Sequence, residues 1–341
     1  MKRRHTLAAM AAAALGVSGL GRTAGEAMAQ SGAGATGAQL DAFIDDMVTR
    51  HRFEREALQK LFSRVRSQPQ VLGAMQAQAQ PRPWFDYRLA FVNRARIVGG
   101  ARYWQENAPA LERAQVQFGV PAELVVATIA AETLFGKTTG VHPVLDALTT
   151  LAFEFPRRAE FFRGELEQFL LLSRELPVDP ATPRGSFAGA MGIPQFMPSS
   201  YRRFAVDFDG DGRIDLFRSN ADAIGSVANY YREFGWVSGA PVAVRALGPS
   251  EIAEEQARRG IKPHSPVSAL RELGLVPASE VDPQLPAMVF ALVQREGTEY
   301  WLGFDNFWVI TRYNRAVHYA MAVNELAREI RVARNGGSSR S

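Results

Sequence analysis

Residues 185–222 read GSFAGAMGIPQFMPSSYRRFAVDFDGDGRIDLFRSNAD. The first half is a run of small residues around a Pro-Gln-Phe step, and the second carries five aspartates. Packing alone asks for neither, so the segment reads as a substrate wall joined to a loop for a hard cation. Asp207, Asp209, Asp211, the Arg213 carbonyl and Asp215 take the first, third, fifth, seventh and ninth places of an EF-hand loop, with Gly212 at the sharp turn in the sixth. Such spacing wraps several oxygens round a calcium ion. The twelfth place holds Arg218, which cannot bind a cation, and Asp222 four residues later is the candidate replacement. Ser219-Asn220-Ala221-Asp222 equally fits a helix N-cap with an acid at the third helical position. Asp222 thus has two readings, compatible if the loop is merely longer than usual. A solvated acidic turn is the alternative for the whole run.

Working outward, a helix over 221–234 stops at Gly235, and the composition shifts after Trp236. Segments 242–247, 288–293 and 306–311 read as short strands, with Glu296-Gly297-Thr298 as a turn, and 319–332 as an amphipathic helix. Upstream, 159–172 is helical. Another helix starts at Pro121, where a missing N–H costs nothing, and stops before Gly136. Leu124 and Thr128 precede Glu132 at four-residue intervals, with Val125 and Ile129 beside them. An acid therefore ends a face that the pattern sends into a core or cleft. Burial raises a carboxyl pKa, and a carboxyl kept protonated near neutrality can donate its proton. A solvated helix end is the plain alternative. From Ala38, Leu40, Phe43, Ile44 and Met47 share one face, and Leu58, Leu61, Phe62 and Val65 make another. The expected fold class is mainly α with a small β-containing domain (α+β).

A chain of 341 residues with 47% hydrophobic content has room for two or three domains. Its start is not part of them. Lys2, Arg3, Arg4 and His5 precede an apolar run from Leu7 to Leu20, and Ala27-Met28-Ala29 offers a small-x-small cleavage site. This predicts a cleavable signal over 1–29 and a soluble periplasmic product, exported by the Sec or the twin-arginine route. Removing the signal lowers the formal +4 to +1. The remaining basic residues are scattered pairs, which argues against nucleic acid. The absence of cysteine excludes disulfides, thiolate chemistry and a lipid-modified N-terminal cysteine.

The segments AAETLFGK, LDALTTLAFEFPRRAEFFRGELEQFLLL, GSFAGAMGIPQFMPSSY, DAIGSVANYY and ITRYNRAVHYAMAV occur in this order between Trp84 and Val332. Together they resemble the membrane-bound lytic murein transglycosylase B family. The resemblance implies a goose-lysozyme-like helical core, a further helical domain and a small β domain. It implies cleavage of the MurNAc-GlcNAc bond of peptidoglycan with a 1,6-anhydromuramyl end. The expected division is a linker without structure over 30–37, a helical domain over 38–110, the catalytic core with its calcium loop over 111–236, the β domain over 237–305, a return to the core over 306–334 and a tail without structure over 335–341.

By the same resemblance Glu132 is the single acid/base. Ser186 and Gln195 lie near it, Phe196 gives an apolar wall, and Gly189, Ala190 and Gly192 admit the saccharide. Tyr87, Tyr230, Tyr313 and Tyr319 are cleft aromatics, Asn314 reads an amide, and Arg157 with Arg158 meets carboxylates. No cofactor for catalysis is implied; calcium is structural. The implied partners are glycan strands and cell-wall synthases, with no membrane span and a monomeric state. Two departures stand out: Pro194 in Ile193-Pro194-Gln195-Phe196, where the family often has YGQF, and one residue inserted before Asp222. His142 and His318 read as structural. The competing functions are a silent peptidoglycan-binding or scaffolding protein and a lysozyme-type muramidase giving reducing ends.

Overall fold

The computed structural model describes residues 32–77, 82–176 and 178–336, so the expected signal over 1–29 lies outside them, as do 337–341 of the tail. The chain begins with α1 (Gly32–His51), α2 (Arg55–Phe62) and α3 (Pro69–Ala77), then α4 (Trp84–Phe91), α5 (Arg94–Glu106), α6 (Ala108–Phe118) and α7 (Ala122–Thr133). Next come β1 (His142–Pro143), α8 (Val144–Glu154), a 3₁₀ turn (Pro156–Arg158), α9 (Ala159–Glu175), β2 (Arg184–Gly185) and α10 (Pro198–Phe204). After α11 (Asn220–Glu233) follow β3 (Ala243–Leu247), α12 (Ser250–Ala257), β4 (Ser265–Pro266), α13 (Val267–Glu272), β5 (Val276–Pro277), β6 (Pro286–Val293) and β7 (Thr298–Gly303). Helices α14 (Asp305–Tyr313) and α15 (Val317–Arg334) end the described chain. The protein is mainly α with a small sheet, as its sequence pattern requires.

Two compact units divide the chain, and both are discontinuous. One comprises 80–138 and 204 onward; the other holds the segment up to 79 together with 139–203. This corrects the expected boundary at 110. Helices α4 and α5 pack on α15, while α1 and α3 pack on α8. Periodicity shows that a helix has an apolar face but not which distant helix covers it. A second correction concerns 30–37: α1 already begins at Gly32.

In the first unit α7 is the central element, with every residue except Glu123 buried. It packs on α15, α5 and α11. Gly100 on α5 allows the closest approach, since a Cβ there would lie 2.5 Å from Ile330 Cδ1 on α15. The sheet of this unit has the order β4-β6-β7-β3-β5 and is antiparallel throughout. Gln294 N donates to Gly297 O at 3.0 Å and closes the turn between β6 and β7 where Glu296-Gly297-Thr298 was expected. Val267, Leu270, Ala287 and Leu302 are fully buried beneath the sheet.

The strand expected over 306–311 is instead part of α14. Asn306, Phe307, Ile310 and Thr311 recur at helical spacing and are all buried, and Phe307 stacks on Phe290 of β6 at 4.5 Å. Burial of that stripe outweighs the strand preference of its β-branched and aromatic residues. In the second unit α8 packs on α9 around Leu148, Leu151, Leu166 and Phe169. No single described helix is long and apolar enough to cross a membrane; the pair α6 and α7 meets the criterion jointly but is bent by 115°.

Candidate active site

Glu132 stands in the last turn of α7. The helix ends there because Leu134 and Phe135 both take left-handed backbone conformations, with φ of 50° and 64°, followed by Gly136 at 79°. Two consecutive non-glycine residues in that region are costly. Compensation comes from Leu134 N donating to Ala130 O at 3.2 Å and Phe135 N to Ile129 O at 3.4 Å, with the Phe135 ring stacked on Tyr103. Arg96 Nε also donates to Ala130 O at 3.3 Å. The acid is thus presented by a firmly closed helix end.

The Glu132 side chain is buried, and Tyr319 of α15 donates its phenolic proton to Oε1 at 2.5 Å. Burial pushes the carboxyl up to about 7, opposed by the Tyr319 hydrogen bond, which favours the ionised form. Burial and the neighbouring Glu132 raise the phenols of Tyr313 and Tyr319 well above their usual value, so both remain neutral. Tyr313 lies 6.5 Å from Tyr319, ring to ring and nearly parallel. One turn before Glu132, Thr128 Oγ1 donates to Leu124 O or shares its proton with the Tyr231 hydroxyl at 2.8 Å. Tyr231 went unnoticed in the sequence, although it adjoins Tyr230; its only signal is that adjacency.

Of the expected cleft residues in this unit, Tyr87 and Asn314 retain polar atoms for a ligand. The Tyr87 hydroxyl and Asn314 Oδ1 are buried with no hydrogen-bond partner among the described residues. Tyr87 packs on Phe91 at 4.8 Å and on His318 at 5.4 Å. His318 also meets Trp84 at 5.6 Å, in keeping with its structural reading. Tyr230 departs from expectation. It is buried, packed among Phe204, Phe234 and Tyr313, and spends its hydroxyl on Arg312 O at 2.6 Å. It supports Tyr313 rather than offering a free face.

The second unit holds the other expected residues. Ser186 Oγ accepts from Ala188 N at 3.3 Å and Ala190 N at 3.1 Å, leaving its proton to donate. Gln195 has φ of 51°, and its Nε2 bonds the carbonyls of Thr139 and Gly192, both at 2.9 Å; Oε1 faces no such demand. Phe196 is 2% exposed, so its ring is core rather than an open wall; its backbone pairs with Met191. Gly189 has φ of 83°, and a Cβ there would lie 2.4 Å from Leu148 Cδ2. Tight packing therefore explains that glycine fully, while Ala190 is buried. Arg157 is exposed. Arg158 lies over the rings of Phe161 and Phe162 at 4.2 and 5.0 Å. His142 sits in β1 opposite Gly185, away from any metal-type cluster among the described residues.

In the aspartate loop, carboxylate oxygens of Asp207, Asp209 and Asp211 lie within 4.8 Å of one another. Asp207 accepts from Gly210 N and Gly212 N, both at 2.8 Å, which curls the chain. Asp215 and Asp222 stand outside the trio. Asp215 Oδ1 accepts from Phe217 N and Arg218 N at 2.9 and 3.0 Å. Asp222 is 1% exposed; its Oδ1 accepts from Phe208 N and its Oδ2 from Asp215 N, each at 2.7 Å. Its own N–H donates to Ser219 Oγ at 3.1 Å, so the helix-cap reading is realised and Asp222 ties the loop ends to α11. Burial raises its carboxyl against the pull of these backbone donors.

A helical frame thus presents one buried acid, pushed up to about 7 among neutral phenols, an arrangement able to give and take a proton near neutrality. The sequence model of the family described as Transglycosylase SLT domain matches residues 35–328. The chain is 43% identical over 302 residues to membrane-bound lytic murein transglycosylase B of Escherichia coli, covering 86% of this chain and 82% of that protein. The catenated lytic transglycosylase SltB1 of Pseudomonas aeruginosa superimposes with a TM-score of 0.83 at 46% identity, over 87% of this chain and 98% of the other. Escherichia coli Slt35 in complex with calcium gives 0.79 at 44%, over 87% and 93%. The protein belongs to the transglycosylase SLT domain family.

Proposed function

We propose that this protein is a lytic murein transglycosylase with Glu132 as its single acid/base. The observation that carries the reading is the Glu132 carboxyl, buried and pushed up to about 7, with Tyr319 fixing one oxygen. Near neutrality it has a proton to give and, once ionised, is a base strong enough to take one back. It protonates the glycosidic oxygen as the C1–O bond breaks. The resulting carboxylate removes the proton of the muramyl C6 hydroxyl while O6 bonds to C1. The proton returns to Glu132, no water is consumed, and a 1,6-anhydro ring closes. Internal attack gains from tethering, which replaces a second carboxylate.

In the first unit Tyr87 and Asn314 offer polar atoms to the sugar, beside the ring of Tyr313; in the second, Ser186 offers a hydroxyl and Gln195 an amide oxygen. Arg157 and Arg158 serve acidic groups of the substrate. Tyr230 and Tyr319 support the first unit's residues from within its core, and Phe196 does the same in the second. The substrate is peptidoglycan glycan strands, in keeping with the murein named for the E. coli relative. Export by the residues 1–29 signal to the periplasm, a monomeric state and contacts with cell-wall synthases complete the proposal.

Calcium is the proposed structural ion. The converging Asp207, Asp209 and Asp211 suit a hard dication, since three apposed carboxylates repel one another without one. The Arg213 carbonyl completes the ligand set, whereas Asp215 and Asp222 act on the loop's backbone. The ion supplies rigidity and takes no part in the chemistry. The test of the whole reading is mass spectrometry of murein digested by the purified protein. Products one water lighter than the hydrolysis products are expected; reducing-end products alone would make the protein a muramidase, and no products a binding protein.

A further inference from the structure

An open groove of about 520 Å³ lies in the first unit between α4 and the β6–β7 hairpin. Three arginines line it, each from a different element: Arg88 from α4, Arg245 from β3 and Arg295 from the hairpin turn. Two are engaged. Arg88 Nε bonds Glu325 Oε2 at 2.5 Å, and Arg245 lies 3.3 Å from Glu299 Oε1. Glu299 is engaged further, its Oε2 accepting from Gln294 Nε2 at 3.2 Å and Trp301 Nε1 at 3.4 Å. Arg295 is exposed and has no carboxylate partner among the described residues; its guanidinium is steered by the Phe85 ring, 5.6 Å away. A planar guanidinium held over a ring beside an open groove presents its free edge for a bidentate carboxylate.

We infer that this groove binds a carboxylate of the peptide carried by murein, through Arg295. The inference rests on the murein-cleaving reading above and adds a contact outside the bond-cleaving set. Helix α4 links the two places. Tyr87 feels the charge of Glu132, while Phe85 and Arg88 on the same eight-residue helix line the groove. A helix with its side chains is ~10 Å across, which sets the scale for a ligand reaching round α4. Murein bears short peptides with free carboxylates on its muramyl residues, and three or four extended residues at about 3.3 Å each span that distance. The groove's own charges nearly cancel, Glu296 and Glu299 against three arginines. Recognition is therefore local to Arg295 and is not a long-range attraction of anionic polymers.

The experiment compares Arg295→Gln with the wild type on two substrates, whole murein and glycan strands stripped of peptide by an amidase. On whole murein KM is expected to rise about fivefold with kcat unchanged, the size of one exposed charge-assisted contact. On stripped strands the two proteins should be indistinguishable. The amidase-released peptide, titrated into the wild type, should bind more weakly after amidation of its carboxylates, and about fivefold more weakly to Arg295→Gln. An equal change on both substrates, or none on either, overturns the inference. A wild type that cuts neither substrate fails the functional reading instead. Arg295 is exposed in a turn, so melting of the variant should match the wild type; a lowered melting temperature would assign the residue to hairpin stability and overturn the binding role.

Discussion

Replacing Glu132 by Gln isolates the cost of keeping an acid in a core. Gln keeps the shape and can still accept from Tyr319, but it never ionises. In the wild type the carboxyl rises from its ordinary 4.5 to about 7. Below pH ~4.5 the folded and unfolded chains both hold this proton, and burial costs nothing in linkage. Between ~4.5 and ~7 the unfolded chain releases it while the folded chain keeps it, so stability falls as pH rises; above ~7 the loss is complete. The interval is worth about 3 kcal/mol. Glu132→Gln should thus be about 3 kcal/mol more stable than the wild type at pH 8 and equal to it near pH 4, with turnover abolished at both. Urea unfolding followed by tryptophan fluorescence measures this, with separate transitions fitted if the two units unfold apart. An offset that is the same at both pH values would mean Glu132 is solvated and ionised in the folded state, and the acid/base argument would collapse.

Tyr319→Phe removes the donor that favours the Glu132 carboxylate, so the acid should climb further. The alkaline fall of kcat/KM, expected near pH 7 in the wild type, should move to higher pH, with a loss of roughly tenfold or more; an unmoved limb would separate Tyr319 from the titrating group. Calcium should raise the melting temperature, by about 2.7 kcal/mol of stabilisation at a hundredfold excess over its Kd. Asp207→Ala with Asp211→Ala should erase that gain, and calorimetry showing no binding to the wild type would reduce the loop to an acidic turn. Gly225→Ala should cost about 1–3 kcal/mol by overpacking, because a Cβ there would lie 2.3 Å from Phe208 Cγ, and Phe208 is fixed by Arg113. Wild-type melting in that variant would show that the loop yields freely.

What the sequence made legible was local. Pro121 and Gly136 bracketed α7, the four-residue steps from Leu124 through Thr128 placed Glu132 inward, and Ser219 announced the cap that Asp222 completes. Asp222 was left with two readings because an acid at that spacing serves a metal or a helix start equally well. Its near-total burial and the donors Phe208 N and Asp215 N show its oxygens bonded to the loop backbone. The strand expected over 306–311 failed because β-branched and aromatic residues fit either element until Phe290 provides a stacking partner. Tyr230 counts as a cleft aromatic by resemblance, and nothing in a sequence reports that Arg312 O takes its hydroxyl. The interleaving of the two units was invisible for the same reason: long-range partners leave no trace in local periodicity.

Helix α7 has one residue, Glu123, that meets solvent, and even that one reaches Arg331 at 3.1 Å. Almost no position on it can drift without disturbing a core, so the element that sets the strength of the acid has little latitude to vary. Latitude exists in exposed turns such as the β6–β7 hairpin, where a side chain can change without touching the helix. A substitution in such a turn therefore leaves the surroundings of Glu132 as they are, whereas one on α7 alters the core that sets its acidity.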